Sequence, residues 1–346
     1  METEHLSAHT SIMTAAPESL QIALNELHKT GAGIEWLGAL GPGIGRVRSQ
    51  AGHQDLARRL RQHSPVFIRH ICPAQLTVAL DHTPADVARL ADACERLTGF
   101  IDPAVSFSVQ TRSLYGGNDP YSVHDLNDAL AKRAQETGAP LDVRHPTQVV
   151  SVVCGNDKAF LGVSLAADNL SVWSGGVQRF ARQAEQISRA EFKLLEAIDL
   201  FGIRVKRGDA ALDLGAAPGG WTRVLRSFGA QVTAVDPAEL APSLQSDELV
   251  LHHRETAQAY LRHAETFDII VNDMKMDVGE SVALMNAAAH SLRPGGIGVM
   301  TLKLPERQQE RLATLSLGRL RHAYEILGAR QLFHNRSEVT VALRAI

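Results

Sequence analysis

Residues 209–222, reading DAALDLGAAPGGWT, decide how this chain is to be read. Ala210-Ala211-Leu212 is a short apolar run that predicts a buried parallel strand ending at Asp213. A loop holding Gly215, Ala217, Pro218, Gly219 and Gly220 then leads into a helix starting near Trp221. In an open parallel sheet a ligand sits beyond the carboxyl ends of the strands, so this loop is a predicted ligand site. Its glycines let the backbone approach a ligand closely, and Pro218 stiffens the turn. The spacing departs from the dinucleotide fingerprint G-x-G-x-x-G, because Ala217 followed by proline stands at the second glycine position.

Around this stretch the chain has 346 residues, long enough for two or three domains, with 45% hydrophobic and 21% charged residues as in ordinary globular proteins. A formal net charge of -3 excludes a global basic field, so nucleic-acid binding must come from local patches and shape. Cys72, Cys94 and Cys154 lie far apart with no C-x-x-C pair, and read as reduced core residues, not as a disulfide framework or a zinc site. The acidic, histidine-bearing N-terminus is no signal peptide, and no apolar run is long enough to span a membrane. The expectation is a cytoplasmic monomer without a metal.

Patterning divides the chain into a loose tail (1–17), a small α+β region (18–82), a second α+β region (83–170), a connector (171–187) and an α/β domain (188–346). In the first α+β region, 20–28 and 55–63 read as helices, and 66–71 and 75–80 as strands. Arg58, Arg59 and Arg61 read first as a solvated helix face and second as phosphate ligands. In the second, 84–97 and 125–136 are helical, and 105–111, 141–144, 149–154 and 160–165 are strands. Ser188 and Glu191 form a capping box for a helix over 189–201. After the opening strand, strands at 231–235, 249–252, 267–271 and 297–302 alternate with helices. A helix over 306–327 precedes two closing strands, 329–333 and 339–343. This pattern predicts a doubly wound, mostly parallel sheet closed by an antiparallel C-terminal hairpin.

Several strand ends carry polar residues that packing alone does not require. Asp236 ends the second strand, where an acid can accept both hydroxyls of a ribose or, with Pro237 following, cap a helix. Asp273 ends the fourth strand, Lys303 follows the fifth, and Glu338 begins the last after a turn that folds it back to the same edge. Lys193 lies on the preceding helix in line with Ala190, Ala197 and Leu200. Singly, each reads as a surface ion pair or a lysine stem covering the core; four converging on one crevice read as a site. The cofactor is a nicotinamide dinucleotide or S-adenosylmethionine. A pyrophosphate favours a glycine loop running straight into a helix N-terminus, whereas the proline-bearing loop suits a sulfonium amino acid.

DLGAAPGGWT resembles the first S-adenosylmethionine-binding motif of FtsJ-like methyltransferases, and Lys193, Asp273, Lys303 and Glu338 resemble the K-D-K-E tetrad of ribose 2′-O-methyltransferases. Together with SRAEFKLLEA, VNDM, TLKLP and ARQLFHNRSEVTVALR, these segments closely resemble the bacterial 23S ribosomal RNA (cytidine-2′-O)-methyltransferase M family over residues 186–346. The strand–helix–strand order of 83–170, with FSVQTR and HPTQVVSVV, is similar to a THUMP module of RNA-modifying enzymes or to a ferredoxin-like packing domain. The resemblance implies a Rossmann-like S-adenosylmethionine methyltransferase domain, Lys303 as proton acceptor and a cytidine of 23S ribosomal RNA as substrate. Cofactor contacts are expected from Ser188, Asp213, Gly215, Ala217, Pro218, Gly219, Gly220, Trp221, Asp236, Thr256 and Asp273. Thr256 stands where an aspartate of the family would contact the adenine end, with Glu255 beside it.

The chemistry suits such a tetrad. A lysine acts as base only when neutral, against an ordinary pKa of about 10.4; a second ammonium and desolvation lower that value while carboxylates raise it. Arg179, Arg182, Arg189, Arg307 and Arg311 are the expected phosphate contacts. The rival readings are a methyltransferase for another RNA, a non-catalytic RNA-binding or ribosome-assembly protein of the same fold and, last, a dinucleotide oxidoreductase.

Overall fold

Apolar runs bounded by glycine, proline and polar turns build two bodies. The computed structural model describes residues 3–6, 9–114, 120–178, 180, 185–263 and 265–346, and divides into the units Met1–Val177 and Gln178–Ile346.

In chain order the N-terminal unit runs β1 (Thr3–His5), β2 (Thr10–Thr14), α1 (Leu20–Lys29), β3 (Glu35–Gly41), β4 (Ile44–Arg48), α2 (His53–His63), β5 (His70–Pro73) and β6 (Leu76–Ala79). It continues with α3 (Ala85–Glu95), β7 (Phe107–Ser113), α4 (Val123–Gln135), β8 (Gln148–Cys154) and β9 (Lys158–Leu165). One sheet has the order β3-β4-β2-β5 and the other β1-β6-β9-β8-β7. β8, QVVSVVC, is buried at every position because neighbours flank it on both edges and both faces are covered. Leu90, Cys94, Leu126 and Leu130 of α3 and α4 join Val150 and Val152 in one core.

Several expectations are corrected here. Residues 1–17 are not a loose tail: β2 is buried throughout and pairs with both β4 and β5. Its polar residues find distant partners, Ser11 Oγ at 3.0 Å from His53 Nδ1 and Thr14 Oγ1 donating to Gly175 O at 2.9 Å. The regions 18–82 and 83–170 are not separate, because β6 pairs with β9 in the second sheet. Residues 141–144 form a turn: Asp142 accepts the Arg144 and His145 N–H groups, leaving one bridge from Leu141 to Phe107. Ser174–Gly176, expected in the connector, is built into this unit, where Arg112 also donates to Gly175 O. On α2, Arg58 and Arg59 share the one Asp55 carboxylate, and Arg61 pairs with Asp168 at 2.9 Å, so all three lie in ion pairs on an exposed helix face, as the first reading expects. All three cysteines are buried and free, and burial pushes the Cys72 thiol up to about 12 and the Cys94 thiol to about 11.

The C-terminal unit runs α5 (Glu191–Leu200), β10 (Ala210–Leu214), α6 (Gly220–Ser227), β11 (Gln231–Val235), α7 (Pro242–Gln245), β12 (Val250–His253), α8 (Ala257–Tyr260) and β13 (Phe267–Asn272). It closes with α9 (Val278–Ala288), β14 (Leu292–Lys303), α10 (Gln309–Leu320), β15 (Tyr324–Arg330) and β16 (Glu338–Ala345). The seven strands are ordered β12-β11-β10-β13-β14-β16-β15, parallel through β14 and antiparallel beyond it. This is the expected Rossmann-like α/β sheet. The order reverses between β10 and β13, where sheets of this kind bind ligands. The helix expected over 306–327 stops at Leu320. Tyr324 is instead buried at the start of β15, and its hydroxyl donates to Met285 O at 2.6 Å.

Candidate active site

Strand register sets three of the four tetrad residues. β13 and β14 run parallel with Asn272 opposite Met300, so Asp273 and Thr301 reach the same sheet edge. β14 and β16 run antiparallel with Lys303 opposite Glu338. Lys193 comes from α5, which buries Leu194 and Ala197 in the core shared with β10 and β13.

The four side chains close into a ring of alternating charge. Lys193 Nζ lies 3.3 Å from both Asp273 carboxylate oxygens and 2.6 Å from Glu338 Oε2. Lys303 Nζ donates to Glu338 Oε1 at 2.9 Å and also to Asp273 Oδ1, which accepts the Thr301 hydroxyl at 2.6 Å. The ring side chains are only 15% to 18% exposed, so water screens these charges weakly. Burial works against the Lys193 charge, but the Asp273 and Glu338 carboxylates outweigh it and hold this ammonium above the usual lysine range.

The glycine loop is braced from within. Gly215 and Gly219 have φ of +74° and +107°, and a Cβ at Gly219 would lie 2.1 Å from Leu244 Cδ1. A Cβ at Gly220 would lie 2.3 Å from Ser188 Oγ, so the segment before α5 crosses directly against the loop. Asp236 ties the loop to the end of β11, accepting the Ala217 N–H at 3.1 Å and the Ala238 N–H at 2.8 Å. Each of its oxygens keeps a lone pair for a further donor. The expected capping box is half formed. Glu191 accepts the Ile187 and Ser188 N–H groups and binds Arg223, but α5 starts at Glu191 and the Ser188 side chain does not cap it.

Three expected cofactor residues have structural duties. Trp221 is 3% exposed and donates its indole N–H to Ala190 O at 2.8 Å. Asp213 is 2% exposed and accepts the Thr222 hydroxyl at 2.7 Å. Burial pushes its carboxyl up to about 7, the Thr222 hydrogen bond opposes this, and the Asp273 and Asp236 charges add to it. Thr256 caps α8, its hydroxyl accepting the Ala259 N–H. Among the phosphate candidates, Arg189, Arg307 and Arg311 are exposed, while Arg179 and Arg182 lie outside the described residues.

The sequence reading missed Thr301, which orients Asp273, and Glu196, one turn past Lys193 on α5. Glu196 is 5% exposed and accepts the Phe333 and His334 N–H groups at 2.7 and 2.9 Å, anchoring the turn that delivers Glu338. A second carboxylate on the buried stripe of α5 was the available signal. Among the described residues, no cluster of three His, Cys, Asp or Glu side chains could hold a metal ion, and no helix is long and apolar enough to cross a membrane.

The family model for FtsJ-like methyltransferases matches residues 186–317. The ribosomal RNA large subunit methyltransferase M of Azotobacter vinelandii is 34% identical over 230 residues, which are 62% of this chain and 63% of that protein. Its counterpart in Halorhodospira halophila is 34% identical over 244 residues, 66% of this chain and 70% of that protein. The match spans less than two thirds of the first relatives, 63% of the Azotobacter protein and 60% of the one from Pseudomonas syringae. Among solved structures, TrmN from Thermus thermophilus aligns over 98% of this chain and 100% of its own, with 16% identity and a TM-score of 0.37.

Proposed function

We propose, from the premise that the chain belongs to the ribosomal RNA large subunit methyltransferase M family, that it is an S-adenosylmethionine-dependent methyltransferase acting on a ribose 2′-hydroxyl, at a cytidine of 23S ribosomal RNA. The observation that carries this reading is the alternating ring of Lys193, Asp273, Lys303 and Glu338 at one sheet edge. Such a substrate would place the reaction in the cytoplasm.

The donor set fits the cofactor. Asp236 has acceptor capacity for ribose hydroxyls, and the negative field of Asp236 and Asp273 that helps raise Asp213 favours a cation over a pyrophosphate. When bound, S-adenosylmethionine supplies an electrophilic methyl group on a sulfonium. In the proposed step the 2′-oxygen bonds to that methyl carbon, the carbon–sulfur bond breaks with its electron pair going to sulfur, and the hydroxyl proton passes to the Lys303 amine. Lys193, held charged by its two carboxylates, stabilises the developing oxyanion, and Asp273 and Glu338 aim both amines. Much of the rate comes from in-line positioning of oxygen, carbon and sulfur. The N-terminal unit supplies further RNA contacts in this reading.

The test is methyl transfer from labelled cofactor to unmodified 23S RNA, followed by digestion to nucleosides. Label on a cytidine ribose supports the proposal; label on a base overturns it.

A further inference from the structure

Beside the tetrad, on the side of Lys193 and Glu338, a cleft of about 550 Å³ is lined by Arg189, Phe192, Phe333, His334 and Arg336. Its aromatic wall is ordered. Phe180 and Phe192 stack with centroids 5.8 Å apart and planes within 6°; His334 tilts against them at 5.6 and 5.0 Å, and Phe333 meets His334 edge-on at 5.1 Å. The Glu196 carboxylate pins the backbone carrying Phe333 and His334, and His334 Nε2 lies 3.1 Å from Gln178 O. Arg189 and Arg336 are exposed, and neither guanidinium has an ion-pair partner among the described residues. A protein gains little by leaving three aromatic rings part-exposed beside two uncompensated cations. A ligand with a flat ring and an anionic group satisfies both features.

We propose that this cleft binds one unpaired RNA nucleotide next to the reacting ribose, its base against Phe192, Phe333 and His334 and its phosphate on Arg189 and Arg336. This rests on the reading of the protein as an RNA ribose methyltransferase and adds the state of the substrate: locally single-stranded. In a duplex both faces of a base are covered by its neighbours, so only a splayed-out nucleotide can offer its ring to the wall. Stacking tolerates any base, so the cleft selects for strandedness more than for sequence.

The test uses the full chain with a labelled unpaired octanucleotide and the same strand in a duplex, titrated at several salt concentrations. Wild type is expected to prefer the unpaired strand. Phe333→Leu should weaken that binding roughly 5- to 150-fold through lost stacking. Arg336→Ala, at an exposed position, should reduce the slope of log affinity against log salt by about 0.7. Both variants should keep wild-type melting temperature and S-adenosylmethionine affinity, which separates local loss from misfolding. Equal affinity of wild type for duplex and unpaired strand, or unchanged binding and salt slope in both variants, overturns the proposal. If methyl transfer to ribose persists in that case, the cleft assignment falls and the enzymatic reading stands. If the variants behave as expected but the wild type methylates no RNA, the cleft stands and the enzymatic reading falls.

Discussion

Replacing Asp213 by asparagine should stabilise the C-terminal unit by an amount that grows from about pH 4 to about pH 7. Asp213 is buried at the end of β10, and burial holds its carboxyl at about 7 against an ordinary 3.8, with the Asp273 and Asp236 charges contributing. The unfolded chain releases this proton near 3.8 and the native chain near 7. Between those values the native state binds more protons, so its stability is full at low pH and falls as pH rises through 7. A gap of about three pKa units at 1.36 kcal/mol each amounts to about 4 kcal/mol, an upper bound for this one group. The amide in Asp213→Asn is neutral at every pH, and its carbonyl can still accept the Thr222 hydroxyl that now bonds Oδ2 at 2.7 Å. The advantage of the variant should therefore grow between pH 4 and 7 and stay flat above. Urea unfolding read by pulse-labelled hydrogen exchange of β10 keeps the two units from being averaged. A variant less stable than wild type by the same amount at pH 5 and pH 8 would refute the reasoning, since only a carboxylate already ionised and well paired behaves that way.

Other substitutions probe the loop and its supports. Gly219→Ala places a methyl against Leu244 at a φ of +107° and should cost about 1–3 kcal/mol, read as a lower urea midpoint together with weaker cofactor binding. Glu196→Ala removes the acceptor for the Phe333 and His334 N–H groups and should cost about 1–3 kcal/mol; turnover should drop while cofactor affinity, measured by calorimetry, holds. Thr256→Asp keeps a side chain able to cap α8, so stability should move by less than about 0.5 kcal/mol. The added acceptor should tighten S-adenosylmethionine binding about 5- to 10-fold, and unchanged affinity would remove position 256 from the adenine site.

Much of the C-terminal unit was legible because each central strand is an apolar run closed by a polar residue: Asp213, Asp236, Asn272-Asp273 and Lys303 all stand at strand ends or just past them. Those ends are where a parallel sheet gathers its site, so local pattern and long-range geometry coincide. Where the two part, the reading failed. TSIMT of β2 looks like polar tail, yet Ser11 and Thr14 are buried because His53 and Gly175, far along the chain, answer their hydroxyls. Helical spacing runs past Leu320, but the burial of Tyr324 against Met285 decides that the next segment is a strand. Asp213 and Trp221 read as ligand contacts by position, while their partners, Thr222 and Ala190, turn both inward. The aromatic wall was invisible because Phe180, Phe192 and His334 belong to three separate segments that meet only in the fold.

The most direct test of the central claim is single-turnover methyl transfer by Lys303→Ala, run beside wild type on the same unmodified 23S RNA with cofactor affinity measured on both. The tetrad account predicts a loss of about 10²- to 10⁴-fold in the transfer rate with S-adenosylmethionine binding intact. A variant that transfers at the wild-type rate while binding cofactor normally would contradict it.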